Sequence, residues 1–436
     1  MMKNWLFWLA LGLPLVAQAQ TAEDENRCGQ PAQASGQADY FFGHQAALQR
    51  EMGHRQASQL RPENTTYRIP VVFHILHYGE PTGLGTNVAS SQVYSQIEVL
   101  NEDFRRRNAD FASVPAQFQS VAEDANIEFY PARDNPTGAR LREPGINRIQ
   151  VPRQPGFFWT NETFDAQFKP GSIWDPTRYL NVWVVDSLRT SAGVTAGYAQ
   201  FPDLAGLAGL PARGGLAQTD GLVVRFNRLG SITKAPLARV LDNARFDRGR
   251  TLTHEIGHYL GLLHTFEGGC LGGDFCDDTP AQEFGTSRCP TNALGCGGAR
   301  IMTQNYMDFS DDLCMGLFTR CQVGRMRTVL ETSPRRRELL TSNVGVGDIT
   351  TGWLDEILSQ AVRVYPNPAT GSARVQMPTG LRAQAYALYS AVGQLVRQEN
   401  LGGSQLNIDL SALGAGLYLL HISTERGTVV KKVVVE

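Results

Sequence analysis

The sequence predicts an α+β protein of two folded units, a large mixed unit followed by a small all-β one. Three observations predict it. Between Tyr67 and Phe226, β-rich runs alternate with segments of helical spacing. A helix with little charge, Arg250 to Leu263, follows them. From about Val362 onward, short alternating strands divided by Gly and Asn turns replace any helical period. At 436 residues and 42% hydrophobic content, the chain exceeds one ordinary domain and can fill a core.

Residues 1–19 carry Lys3, an apolar run from Trp5 to Val16 and Ala17-Gln18-Ala19, the form of a cleaved signal peptide. The run is shorter than the roughly 20 residues of a spanning helix, so the mature chain is expected to have no transmembrane segment. Export places it where disulfides persist. Residues 20–60 are polar, with weak helical patterning around His44–Met52, and read as a removable pro-segment. Net charge is -2, which excludes the basic footprint of a nucleic-acid binder.

Residues 61–341 are expected to form the large unit. Ile69 to Leu76 should be its first strand. Val93, Ile97, Leu100 and Phe104 share one face of a helix that packs on the sheet, and Arg105–Arg107 end that helix as solvated charge. Further strands are expected at Ile127–Tyr130, Leu180–Val185 and Leu222–Phe226. One helix should run from Phe318 to Leu340, with Arg335–Arg337 solvated near its end. Residues 342–361 read as a linker and 362–436 as a small β-sandwich.

The chemistry concentrates in His254-Glu255-Ile256-Gly257-His258-Tyr259-Leu260-Gly261-Leu262-Leu263-His264. On a helix, His254 and His258 stand one above the other and can share one metal. Glu255, one step round, can act on a water without competing for the ion. Gly261 can stop the helix in a left-handed conformation, letting the chain return with His264. Three neutral nitrogens with one open position suit catalytic zinc.

Seven cysteines is an odd count for an exported chain. Cys28 stands apart from Cys270, Cys276, Cys289, Cys296, Cys314 and Cys321, and a thiolate there could fill the open position of a zinc site. The other six allow 15 pairings, which spacing does not resolve. Asp274, Asp277, Asp278, Thr279 and Glu283 lie among glycines in a loop whose hard oxygens suit calcium.

The eleven residues resemble the long zinc signature of the metzincin metallopeptidases. Gln304 to Ser310 resembles the clan's Met-containing turn, with Met307 beneath the metal. The run Asn305-Tyr306-Met307-Asp308 and the Cys-rich insert resemble the pappalysin family, specifically its small bacterial members. The resemblance implies a metzincin-like fold and an edge strand near Gly197–Pro202 that grips substrate main chain. It also implies bonds Cys270–Cys296 and Cys289–Cys314, leaving Cys276 with Cys321 as a bridge outside the family pattern, and calcium at Asp274, Thr279 and Glu283.

Arg27-Cys28-Gly29 resembles a cysteine-switch zymogen segment. The family's preference for Arg or Lys after the scissile bond implies a pocket in which Asp311 and Asp312 meet a cation. It also makes Leu60–Arg61 an activation site. Phe309 departs from relatives that carry a tyrosine there. Tyr365-Pro366-Asn367-Pro368, Ala415-Gly416-Leu417-Tyr418 and Lys431-Lys432-Val433-Val434-Val435 resemble the sorting domain of type IX secretion cargo. That implies a Gram-negative source, export through periplasm and outer membrane, and a secreted or surface location.

The expected protein is a monomeric zinc endopeptidase acting on protein or peptide substrates. His254, His258 and His264 would hold an ion that polarises the scissile carbonyl and acidifies a water, and Glu255 would carry the proton to the leaving amine. A non-catalytic adhesin and a hydrolase of non-peptide amides are the competing readings. Retention of Glu255 argues against the adhesin.

Overall fold

The computed structural model describes residues 27–29, 65–154, 156–191, 193–211, 214–235, 245–344, 362–377, 382–403, 405–424 and 427–436. The signal peptide, the helical patterning at His44–Met52, the Leu60–Arg61 bond and most of the linker lie outside the described residues.

The large unit is built on a six-stranded sheet. Its centre is β1 (Tyr67–His77), buried along almost its whole length, as a near-continuous apolar run in a parallel sheet should be. β1 is long enough to take two neighbours on one side. β2 (Ile127–Pro131) pairs with its first half and β3 (Ile146–Gln150) with its second. A separate small sheet contains β4 (Trp159–Thr160), β6 (Leu188–Thr190) and β7 (Gly193–Val194). On the other side of β1 lies β5 (Leu180–Val185). Beyond it the sheet ends with β8 (Gly197–Ala199) and β9 (Leu222–Arg225), in the order β5-β9-β8. Among the described residues β8 alone runs antiparallel in this sheet, and its outer edge rims the site described below.

The backing helix Ser90–Asp103 turns Val93, Ile97 and Leu100 into the same core as Leu252 and Ile256 of the site helix, Arg250–Tyr259. Its end differs from expectation. Arg105 pairs with Asp124 at 3.1 Å and with Glu128, tying the helix to β2 instead of standing solvated. The segment after the Met turn also differs: it divides into Arg320–Thr332 and Pro334–Leu339, because Pro334 cannot continue the first helix. Nor are its arginines a solvated run. Arg336 is fully buried, pairs with Asp220 at 2.8 Å and donates to the Tyr259 carbonyl at 3.0 Å; Arg335 pairs with Asp220 and Asp203. Only Arg337 is exposed.

Three disulfides join Cys270 to Cys296, Cys276 to Cys321 and Cys289 to Cys314. The second ties the insert to the first turn of Arg320–Thr332. The C-terminal unit contains β10 (Arg363–Tyr365), β11 (Ser372–Gln376), β12 (Ala383–Ser390), β13 (Leu395–Gly403), β14 (Gln405–Asp409), β15 (Gly416–Thr424) and β16 (Gly427–Val435). They form a three-stranded sheet, β10-β11-β14, and a four-stranded sheet, β13-β12-β15-β16. Val375, Tyr386, Leu388, Leu420, Ile422 and Val433 share the core between them. Among the described residues, no helix is long and apolar enough to cross a membrane.

Candidate active site

The site helix is buried at every position, which a surface amphipathic helix would not be. Its 3.6-residue period stacks His254 over His258, with their Nε2 atoms 3.0 Å apart. The helix then stops and Gly261 takes φ +86°; a Cβ there would stand 2.8 Å from Val329 Cγ2, so the turn needs glycine. The return brings His264 Nε2 to 3.1 Å from His258 Nε2.

Each imidazole has an acceptor at its other nitrogen. His254 Nδ1 donates to the Tyr306 carbonyl at 2.7 Å, His258 Nδ1 to the Leu262 carbonyl at 2.8 Å, and His264 Nδ1 to Glu267 Oε2 at 3.3 Å. With Nδ1 protonated, every Nε2 presents a lone pair to the centre. Three lone pairs so close repel one another unless a cation lies between them. Burial drives the pKa of His254 and His258 well below the ordinary value, so both are neutral, as metal ligands must be. The donor set therefore fits a borderline-soft divalent ion such as zinc.

Beneath this cluster, Met307 lies so close to the helix that a Cβ on Gly257 would meet its Sδ at 2.4 Å. The Met turn is locked to both helices. Tyr306 Oη donates to Asp103 Oδ1 at 2.8 Å, while Asp103 Oδ2 accepts from Thr253 Oγ1 at 2.7 Å and faces Arg250 Nε at 3.0 Å. Phe309 packs against His264 with ring centroids 5.0 Å apart and offers no hydroxyl.

Glu255 is fully buried under β8, whose Gly197 leaves room for it: a Cβ there would meet Glu255 Cγ at 3.2 Å. Burial pushes its pKa up to about 8, against the opposing influence of Cys28 and Arg27. Its Oε1 has no hydrogen-bond partner, and its Oε2 lies 3.6 Å from Cys28 Sγ.

Arg27, Cys28 and Gly29 are all buried in this cleft. Cys28 Sγ belongs to one group with the three histidines, their ligand atoms all within 4.8 Å of one another. Gly29 N–H donates to the Gly197 carbonyl of β8 at 2.8 Å. Arg27 Nη2 donates to Asp312 Oδ1 at 2.8 Å and to the Ser310 carbonyl at 2.7 Å, with both charged side chains wholly buried. Asp312 Oδ2 accepts the backbone N–H groups of Arg248 and Arg250 at 2.9 and 3.1 Å, at the N-terminus of the site helix, where the dipole favours a carboxylate. Asp311 is engaged elsewhere, by Arg245 at 2.8 Å. The structure thus brings Asp312, and not Asp311, to the Arg27 guanidinium of the switch segment.

In the insert, Asp274 Oδ1 accepts from Thr279 Oγ1 at 2.7 Å and from Cys276 N–H at 3.0 Å, whereas Glu283 Oε2 accepts from Cys270 N–H at 2.8 Å. The sequence pattern assigns no role to Glu267, and it presents Arg27 and Ser310 only within the switch segment and the Met turn, with no pairing of their own. The signal for Glu267 was its position three residues after His264.

Residues 164–331 match the family model described as pregnancy-associated plasma protein-A, and residues 363–436 match the secretion system C-terminal sorting domain. An extracellular metalloprotease of Verticillium alfalfae is 30% identical over 270 residues, covering 61% of this chain and 77% of that one. One of Arthroderma otae is 44% identical over 265 residues, covering 59% and 76%. Among solved structures, Tannerella forsythia mature mirolysin in complex with a cleaved peptide is 34% identical with a TM-score of 0.52, covering 63% of this chain and 96% of that one. A promirolysin mutant from the same organism is 32% identical with a TM-score of 0.56, covering 72% and 97%. The fold is that of a mirolysin-like catalytic domain followed by an all-β domain. The chain belongs to the pappalysin family of metallopeptidases and carries a type IX secretion sorting domain at its C-terminus.

Proposed function

We propose that this secreted or cell-surface metallopeptidase is a zinc endopeptidase, made as a zymogen, that cleaves peptide bonds before Arg and less readily before Lys. One observation carries the reading: Arg27-Cys28-Gly29 fills the cleft, with the thiol at the three imidazoles and the guanidinium on Asp312. A segment that satisfies both sites at once blocks both at once.

His254, His258 and His264 would hold the zinc, which supplies Lewis-acid polarisation of the scissile carbonyl and acidification of a water. Glu255, one step round the helix from His254 and with one carboxylate oxygen unpartnered, would take that water's proton and deliver it to the leaving amine. β8 offers main-chain groups to an extended peptide by strand addition, as Gly197 does to Gly29. Asp312 selects the basic side chain. Met307 supplies an apolar floor and no chemistry.

In this reading residues 20–60 are the pro-segment, 61–341 the protease unit, 342–361 the linker and 362–436 the sorting domain, which the secretion machinery engages. The mature enzyme is a monomer. Calcium binds at the insert: Asp274 and Thr279 already share a hydrogen bond, and Glu283 joins them by releasing Cys270 N–H.

The test is mass spectrometry of purified precursor, wild type and Glu255→Ala, with and without a zinc chelator, followed by exposure to an Arg-containing peptide library. New N-termini beginning with Arg, produced by untreated wild type alone, are the expected outcome. Equal cleavage by Glu255→Ala would sink the assignment of the base.

A further inference from the structure

We propose that Phe246 is the residue that makes the basic pocket prefer a guanidinium to an ammonium. The Arg27 Cζ stands 4.5 Å from the Phe246 ring centroid, within reach of a cation–π contact. The ring itself is buried, at 1% exposure, and so is Asp312. The pocket seen around Arg27 thus has three parts: Asp312 Oδ1, the Ser310 carbonyl and an aromatic wall.

The two oxygens do not discriminate between cations. Both are met by one nitrogen, Nη2, while Nε and Nη1 of Arg27 have no hydrogen-bond partner. An ammonium carries three donors and could satisfy the same two oxygens. What an ammonium lacks is a flat, weakly hydrated surface to lay against the ring. The same ring also attracts Arg245 and Arg228, whose Cζ atoms lie 5.1 and 5.9 Å from its centroid. Arg245 is compensated by Asp311, so the guanidinium on Asp312 is the exchangeable one. When the pro-segment leaves, the wall and the oxygens remain for the side chain of a substrate.

The inference rests on the Arg-directed endopeptidase reading and deepens it by separating charge recognition, given to Asp312, from shape recognition, given to Phe246. Activated enzyme would be assayed as wild type, Phe246→Leu, Phe246→Tyr and Asp312→Asn on three peptides differing only in Arg, Lys or Ala after the scissile bond. In Phe246→Leu the Arg-to-Lys ratio of kcat/KM should fall about tenfold, the size of a buried cation–π contact. Phe246→Tyr should keep the ratio. Asp312→Asn should lower Arg and Lys turnover together relative to Ala.

An unchanged Arg-to-Lys ratio in Phe246→Leu, with Arg still far above Ala, would overturn the role of the ring and leave the pocket intact. No preference for Arg over Ala in wild type would overturn the pocket itself. Should Phe246→Leu not fold, inhibition of wild type decides: argininamide should inhibit about tenfold more tightly than lysinamide, and equal inhibition refutes the proposal.

Discussion

Replacing Arg27 by Met should open the closed precursor without touching the mature enzyme. Met keeps most of the side chain's length and apolar stem but removes the charge, so in the closed state Asp312 Oδ1 loses its ion pair in a site with no exposed surface on either side chain. Removing one partner of such a buried pair costs about 3–5 kcal/mol. At the lower figure the population of open precursor rises by about two powers of ten. Thiol alkylation reads this directly, because of seven cysteines six are in disulfides and Cys28 alone remains to react. In a Glu255→Gln background, where autolysis is suppressed, and with closing faster than alkylation, the labelling rate follows the open population. Arg27→Met precursor should therefore label at least ~100-fold faster than its parent. Equal rates, with the fold intact by circular dichroism, would show that the Arg27–Asp312 pair does not hold the segment in place.

Two further outcomes follow from the same geometry. Glu267→Gln removes the carboxylate that meets His264 Nδ1 and should weaken zinc binding about 10–100-fold, measured by chelator competition in the activated protein; unchanged affinity would make Glu267 a bystander. His74, buried between Trp174 and Trp183, has its pKa lowered to about 4 from 6.5, mainly by desolvation. Since the folded group binds its proton less readily than the unfolded one, its contribution is present above pH 6.5 and is lost as pH falls toward 4. Wild-type stability should therefore drop across that window by on the order of 3 kcal/mol more than that of His74→Gln. Parallel urea-unfolding curves at stepped pH would contradict this.

The parts of the molecule legible in the sequence are those set by local period. The spacing of His254, His258 and Gly261 dictates a helix and its face, and the structure has both, but the helix stops at Tyr259, just before the left-handed Gly261, and does not run on to Leu263. Apolar runs located the strands to within a few residues, as with Leu180–Val185. Long-range pairing was not legible. Arg336 reads as solvated until Asp220, 116 positions away, is brought beneath it. Asp311 and Asp312 are equivalent in sequence; Arg245 on one and the N–H groups of Arg248 and Arg250 on the other make them different. The break at Pro334 is a local signal that the reading of one helix from Phe318 to Leu340 passes over, since a proline cannot continue a helix it falls inside. Phe246 carried no local signal, since its partner Arg27 lies in another part of the chain.

The central claim is that His254, His258 and His264 bind zinc and that Cys28 occupies the remaining position until activation. X-ray absorption at the zinc edge, on Glu255→Gln precursor and on activated enzyme, tests it most directly. Nitrogen or oxygen neighbours with one sulfur near 2.3 Å in the precursor, and no sulfur after activation, are predicted. A precursor without a sulfur neighbour would contradict the switch, and one that retains zinc undiminished after His258→Ala would contradict the site itself.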